Sequence, residues 1–200
     1  MKTPISQAVI SLPLPSWLEK SLPQPDTGLP DDEGRMRLVI ELARQNVDRG
    51  TGGPFAAAVF DRETGMVIAA GVNLVTSLNC SVAHAEIIAI MLAQQRIGTY
   101  DLGSEGMLPT ELVTSAEPCA MCLGAIPWSG VRRLVCGASE EDVSGIGFDE
   151  GAKPASWQRE LEARGIEVVR NVCRSEATAV IRRYAEQGGV IYNARRDRRP

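Results

Sequence analysis

The chain has 200 residues and a net charge of −4, which is enough for one domain with a proper core. The acidic balance disfavours a large polyanionic partner. Apolar residues make up 44% of the chain, yet no apolar run approaches the ~18 residues that span a membrane, so no membrane partner is expected.

Residues 1–30 read as a proline-rich arm, with 16–20 its one plausible helical turn and Trp17 its anchor on this domain or on a neighbour. Pro4, Pro13 and Pro15 interrupt the mildly apolar start, so a signal peptide is not expected. A main domain is expected over 31–187. Asp31 or Asp32 caps its first helix, in which Met36, Val39, Ile40, Ala43 and Val47 keep the helical period. Gly50, Gly52 and Gly53 end that helix. A buried strand follows at 55–60, a hairpin turn at 61–65 and an antiparallel partner at 66–71.

A loop over 73–82 leads to a central helix beginning near His84. This helix is apolar on every side from Ile87 to Ala93 and so must lie buried between other elements. A short strand at 112–114 runs into Glu117-Pro118-Cys119, where Pro118 suits a helix start. Then come a strand at 131–136, a glycine-punctuated loop at 144–151, a helix at 156–163, a strand at 167–172 and a last helix from 175 to about 186. Helices alternating with strands imply crossovers and a sheet covered on both faces. The expected fold is an α/β protein, a three-layer α/β/α sandwich on a five-stranded mixed sheet. Residues 188–200 form a separate C-terminal segment ending in Arg195, Arg196, Arg198 and Arg199, a short basic tail on an acidic body.

Two motifs carry chemistry. His84, the only histidine, stands two residues before Glu86, and Cys119 and Cys122 lie one helical turn apart after Pro118. One imidazole and two thiolates are the three ligands of a catalytic zinc, whose fourth position holds water. The expected cofactor is therefore Zn2+, one per chain. Two predicted helix N-termini meet there, and their free N–H groups favour thiolate over thiol. The remaining cysteines, Cys80, Cys136 and Cys173, have no partner spacing. An odd set of five cysteines suits a reducing, cytoplasmic setting better than a disulfide framework.

This His-x-Glu and Pro-Cys-x-x-Cys pair resembles the signature of the cytidine deaminase superfamily, as the handful of zinc nucleobase deaminases share it. The resemblance implies the three-layer fold and makes Glu86 the proton shuttle between water, ring nitrogen and departing ammonia. Within the superfamily, residues 52–192 look most like the bacterial guanine deaminases. That likeness gives Phe55, Asn73, Ala85, Trp128 and Tyr192 to the base pocket and makes Glu150, in Gly147-Phe148-Asp149-Glu150, a second catalytic carboxylate. It also implies a homodimer whose C-terminal segments, carrying Tyr192, can be exchanged between subunits.

Plainer readings stay open beside these. Phe55 can be core, Asn73 an Asx turn, Trp128 a helix end and Glu150 a solvated loop residue. The implied reaction is deamination of guanine to xanthine, with ammeline as a second substrate. The alternatives are a tRNA adenosine deaminase, which needs a basic groove, and a cytosine deaminase. A structural zinc or RNA-binding module would leave Glu86 without work.

Overall fold

Every residue of β1 (Ala56–Asp61) is buried, because the strand lies at the middle of a sheet and feeds both of its faces. Ala56, Ala58 and Phe60 enter one apolar cluster, while Ala57 and Val59 enter another on the opposite side. The computed structural model describes residues 11–193 and contains four further strands: β2 (Val67–Val72), β3 (Thr110–Ala116), β4 (Arg133–Ala138) and β5 (Glu167–Val169). The sheet order is β2-β1-β3-β4-β5. β1 runs antiparallel to both β2 and β3, and β3, β4 and β5 are parallel. The expected five-stranded mixed sheet is present.

One face is covered by α1 (Asp32–Asp48) and α7 (Arg174–Glu186), through Met36, Val39, Ile40, Ala43, Ala177, Val180 and Ile181. Asp31 caps α1 by accepting the Gly34 N–H at 2.7 Å. The other face is covered by α3 (Ala85–Ile97), α4 (Ala120–Ser129) and α6 (Trp157–Glu162), through Ala85, Ala89, Ile90, Ile126, Trp157 and Leu161. Trp17 docks the arm on its own domain. Its indole donates to Thr51 Oγ1 at 3.2 Å, and the Arg49 guanidinium lies over the ring at 5.6 Å.

Several elements differ from the sequence expectation. β3 has seven residues where the sequence predicts a strand over 112–114 alone. Its buried polar members are satisfied from afar: Glu111 takes ion pairs from Arg35 at 2.5 Å and Arg133 at 2.9 Å, and Ser115 Oγ accepts the Ala56 N–H at 3.1 Å. β4 starts and ends two residues later than 131–136, and β5 stops at Val169. A single turn, α2 (Val75–Leu78), sits within the loop before α3. A second unexpected helix, α5 (Glu140–Gly145), is nucleated by reciprocal bonds between Ser139 and Asp142. The arginines at 195–199 lie outside the described residues, as does the first third of the arm. Among the described residues, no helix is long and apolar enough to cross a membrane.

Close approach of α3 to β2 is what positions the site. A Cβ added at Gly71 would meet Ala85 O at 2.4 Å and Ala89 N at 2.7 Å, so the helix backbone rests directly on the glycine. Gly71→Ala is expected to push α3 outward at a cost of ~1–3 kcal/mol, typical of overpacking. Because Ala85 adjoins His84, metal content should fall along with the melting temperature. Thermal unfolding and metal analysis of the purified variant check both.

Candidate metal centre and active site

β2 and β3 run in the same direction, since β1 is antiparallel to both, so the chain leaves them at one edge of the sheet. Beyond that edge lie the starts of α3 and α4, where an open α/β sheet places its ligands. His84 is the N-cap of α3 and Cys119 the N-cap of α4, each with extended backbone. Cys122 follows in the first turn of α4 and is fully buried.

The Cys119 and Cys122 sulfurs lie 3.5 and 3.6 Å from His84 Nδ1. All three ligand atoms fall within 4.8 Å of one another, the one such group among the described residues. Tetrahedral zinc bonds of ordinary length would set nitrogen–sulfur edges of about 3.6 Å, so the donor set fits a metal as it stands. The Cys122 side chain, hydrogen-bonded to the Cys119 sulfur, holds the Cys119 thiol down at about 4. The same bond pushes the Cys122 thiol up, so the two sulfurs share one proton, which a metal ion bound between them would displace.

His84 and Cys119 line a cavity of about 290 Å³. Glu86 enters it from the second position of α3 and is 7% exposed. On a regular helix, residues two apart point to nearly opposite sides. His84 is a cap outside the helix proper, and this lets both side chains serve one cavity. Burial, followed by the charge of Cys119, raises the Glu86 carboxyl above its ordinary range. Glu150 faces the same cavity, and burial raises it to about 8, with Cys119 again contributing. Its backbone is tied to the metal helix, because the Ala120 N–H donates to Glu150 O at 2.8 Å.

Aromatic rings form the other walls. Phe55 meets Phe148 edge-on at 5.2 Å, and Phe148 meets Tyr192 at 5.0 Å. Tyr192 also stands edge-on to His84 at 6.4 Å. Its segment folds back on its own domain, so the cavity is lined within one chain. Asn73 is 1% exposed and serves in two ways. Its Oδ1 accepts the Val75 N–H at 3.3 Å, an Asx turn, and its side chain and the Tyr192 hydroxyl both lie against Gly53.

Phe55, Asn73, His84, Glu86, Cys119, Glu150 and Tyr192 are thus brought together on one cavity, with Cys122 directly behind. Two expected pocket residues are not. Trp128 is 85% exposed on a separate groove beside Pro127 and Pro154, so it is no wall of this chain's cavity. It lies six residues after Cys122, about 240° around a helix, and so faces away. The Ala85 side chain is fully buried in the core beneath α3 and does not line the cavity.

Three residues had been overlooked. Glu117 lines the cavity, pairs with Arg170 and accepts the Glu140 N–H at 3.2 Å. Its place beside Pro118-Cys119 was the available signal. Lys153 has a side chain 3% exposed, donates to Pro118 O at 3.0 Å, and sits 3.1 Å from the Glu140 carboxylate and 3.9 Å from that of Glu150. Asn193 joins the cavity at the C-terminal end. Neither Lys153 nor Asn193 has a motif or period to mark it.

Residues 29–138 match the family model for the cytidine and deoxycytidylate deaminase zinc-binding region. The chain belongs to this deaminase family. The matched span contains His84, Glu86, Cys119 and Cys122, so the three-ligand group coincides with the part of the family described as zinc-binding. The guanine deaminase of Bacillus subtilis is 39% identical over 115 residues, covering 58% of this chain and 69% of that protein. A solved structure of the guanine deaminase from Nitrosomonas europaea superposes with a TM-score of 0.85 at 49% identity, covering 89% of this chain and 97% of that one. A mutant of the protein NE0047, solved in complex with 8-azaguanine, gives 0.87 at 49% identity, with 90% and 98% covered. The chain is a deaminase-type hydrolase with the cytidine deaminase fold.

Proposed function

We propose that this deaminase converts guanine to xanthine and ammonia, with one zinc ion per chain held by His84, Cys119 and Cys122. The observation that carries the reading is a small cavity, about 290 Å³, in which Glu86, Glu150 and Asn73 converge beside the three ligand atoms under a lid bearing Tyr192. Support comes also from the 8-azaguanine complex of a relative that is 49% identical over nearly its whole length.

Zinc, when bound, makes water a nucleophile at neutral pH. Glu86 accepts the proton released by the attacking water and delivers it to the ring nitrogen next to the carbon under attack. Glu150, whose carboxyl burial raises to about 8, gives a proton to the departing amino group, which leaves as ammonia, and the proton lost by the added hydroxyl as the ring carbonyl forms restores it. Asn73 offers one donor and one acceptor to the base edge. Phe55 and Tyr192 wall the ring, and Ala85 contributes only through its first-turn backbone, its side chain being buried.

The proposal includes a cytoplasmic homodimer. Trp128, 85% exposed beside Pro127 and Pro154, is a large apolar side chain of the kind a second copy would cover. Residues 188–193 act as the lid and the arm as a brace on the domain. A tRNA adenosine deaminase is disfavoured, because no lysine or arginine is among the described residues that line the cavity, where a phosphate backbone needs cations.

Ammonia release from guanine, cytosine, ammeline, nucleosides and tRNA tests the reading, alongside metal analysis of the same preparation. The expected result is about one zinc per chain and the highest kcat/KM on guanine, with ammeline second. Turnover of tRNA without turnover of free guanine would overturn it.

A further inference from the structure

We propose that Asn193 is a positioning residue that latches the C-terminal segment to the loop carrying Glu150, so that lid and acid reach their working places together. The proposal rests on the roles given above to Tyr192 and Glu150. The latch is a side-chain amide used at both atoms. Asn193 Nδ2 donates to Gly147 O at 2.8 Å, and its Oδ1 accepts the Asp149 N–H at 2.9 Å. The two backbone groups stand two residues apart, so the amide imitates one step of a strand pair.

Its neighbours explain why the bond matters. Tyr192 immediately precedes Asn193, and Glu150 immediately follows Asp149, so both active groups sit one residue from the latch. The acid loop is bounded by Gly147 at φ 102° and Gly151 at φ 72°, backbone conformations that no regular element stabilises. The C-terminal segment is held at its other end by Tyr184, whose hydroxyl donates to Val190 O at 2.8 Å while Gly189 lies against its ring. Tyr192 is therefore held between two anchors, Tyr184 and Asn193; Phe148 of the acid loop packs against the Tyr184 and Tyr192 rings, and Asn193 alone of the C-terminal segment's described side chains hydrogen-bonds that loop's backbone. Asparagine is suited to the task. Aspartate keeps the acceptor and loses the donor, and glutamine overreaches by one methylene.

The test is a double-mutant cycle on the full-length, zinc-loaded protein with guanine as substrate, in which Asn193→Ala is made in the wild type and in Glu150→Gln. In the wild type, Asn193→Ala is expected to lower kcat/KM about tenfold, the scale of coupling between residues in one network. Asn193→Asp should fall between the two. Zinc content and melting temperature should stay unchanged, which separates the effect from a folding defect. In the Glu150→Gln background the same substitution should cost clearly less, about threefold, because only the placing of the lid then still depends on the latch. An equal loss in both backgrounds, or no loss in the wild type, overturns the latch. Full activity in Glu150→Gln alone would overturn the acid role and, with it, the coupling.

Discussion

Glu86→Gln is expected to give a folded protein that keeps its zinc and loses at least ~100-fold in kcat, the scale of a positioned acid–base group. Glutamine matches the shape of the carboxylate, so the buried site is neither emptied nor overfilled. The three ligand atoms belong to His84, Cys119 and Cys122, so metal binding does not depend on Glu86. What glutamine removes is the ability to take up and return a proton. Burial has already shifted this carboxyl above its ordinary range, toward the pH at which a group can do both. Replacing Cys119 or Cys122 by serine gives the opposite signature, with metal lost first and stability after it. Parallel measurement of zinc per chain and of ammonia release separates the two cases. Near-normal turnover by a zinc-loaded Glu86→Gln protein would remove Glu86 from the mechanism.

Deleting residues 188–200 should lower kcat/KM by about 100-fold while zinc content holds, since misplacing substrate-ordering groups is costly even far from the bond made. The segment carries Tyr192 into the cavity and, through its contacts with Phe148 and His84, narrows the space open to water. None of its described residues belongs to the ligand group, and the strands of the sheet and the helices on both faces all lie outside it. Deleting only 195–200 leaves Tyr192 and Asn193 in place and should change little. The comparison of the two truncations is the informative measurement. Full activity in the longer one would return Tyr192 to an ordinary core aromatic.

The metal ligands were legible because their chemistry is local. Cys119 and Cys122 are one helical turn apart, and a single histidine leaves no choice of partner. The layers were legible for a similar reason: α1 and α7 keep a helical period, and the all-apolar run of α3 demands burial on every side. β3 was read as shorter than it is because Thr110, Glu111 and Ser115 look like surface residues. They are buried because Arg35 and Arg133 reach Glu111 from other elements, and because the Ala56 backbone meets Ser115. Trp128 was assigned to the pocket by likeness alone, and the rotation of α4 turns it away from this chain's cavity.

The sequence by itself determined which atoms can hold the metal, which carboxylate stands beside them, and that alternating helices and strands would enclose a mixed sheet. Each of these follows from spacing within one turn of helix or from the period of a single element. Only the tertiary structure decided that Lys153 sits buried under the metal helix, bonded to Pro118 from 35 residues away, and that Asn193 reaches back 46 residues to Gly147. Such partners are selected where the sheet edge, the acid loop and the C-terminal segment pack together, and a contact made at that separation leaves no period in the chain for a reader to find.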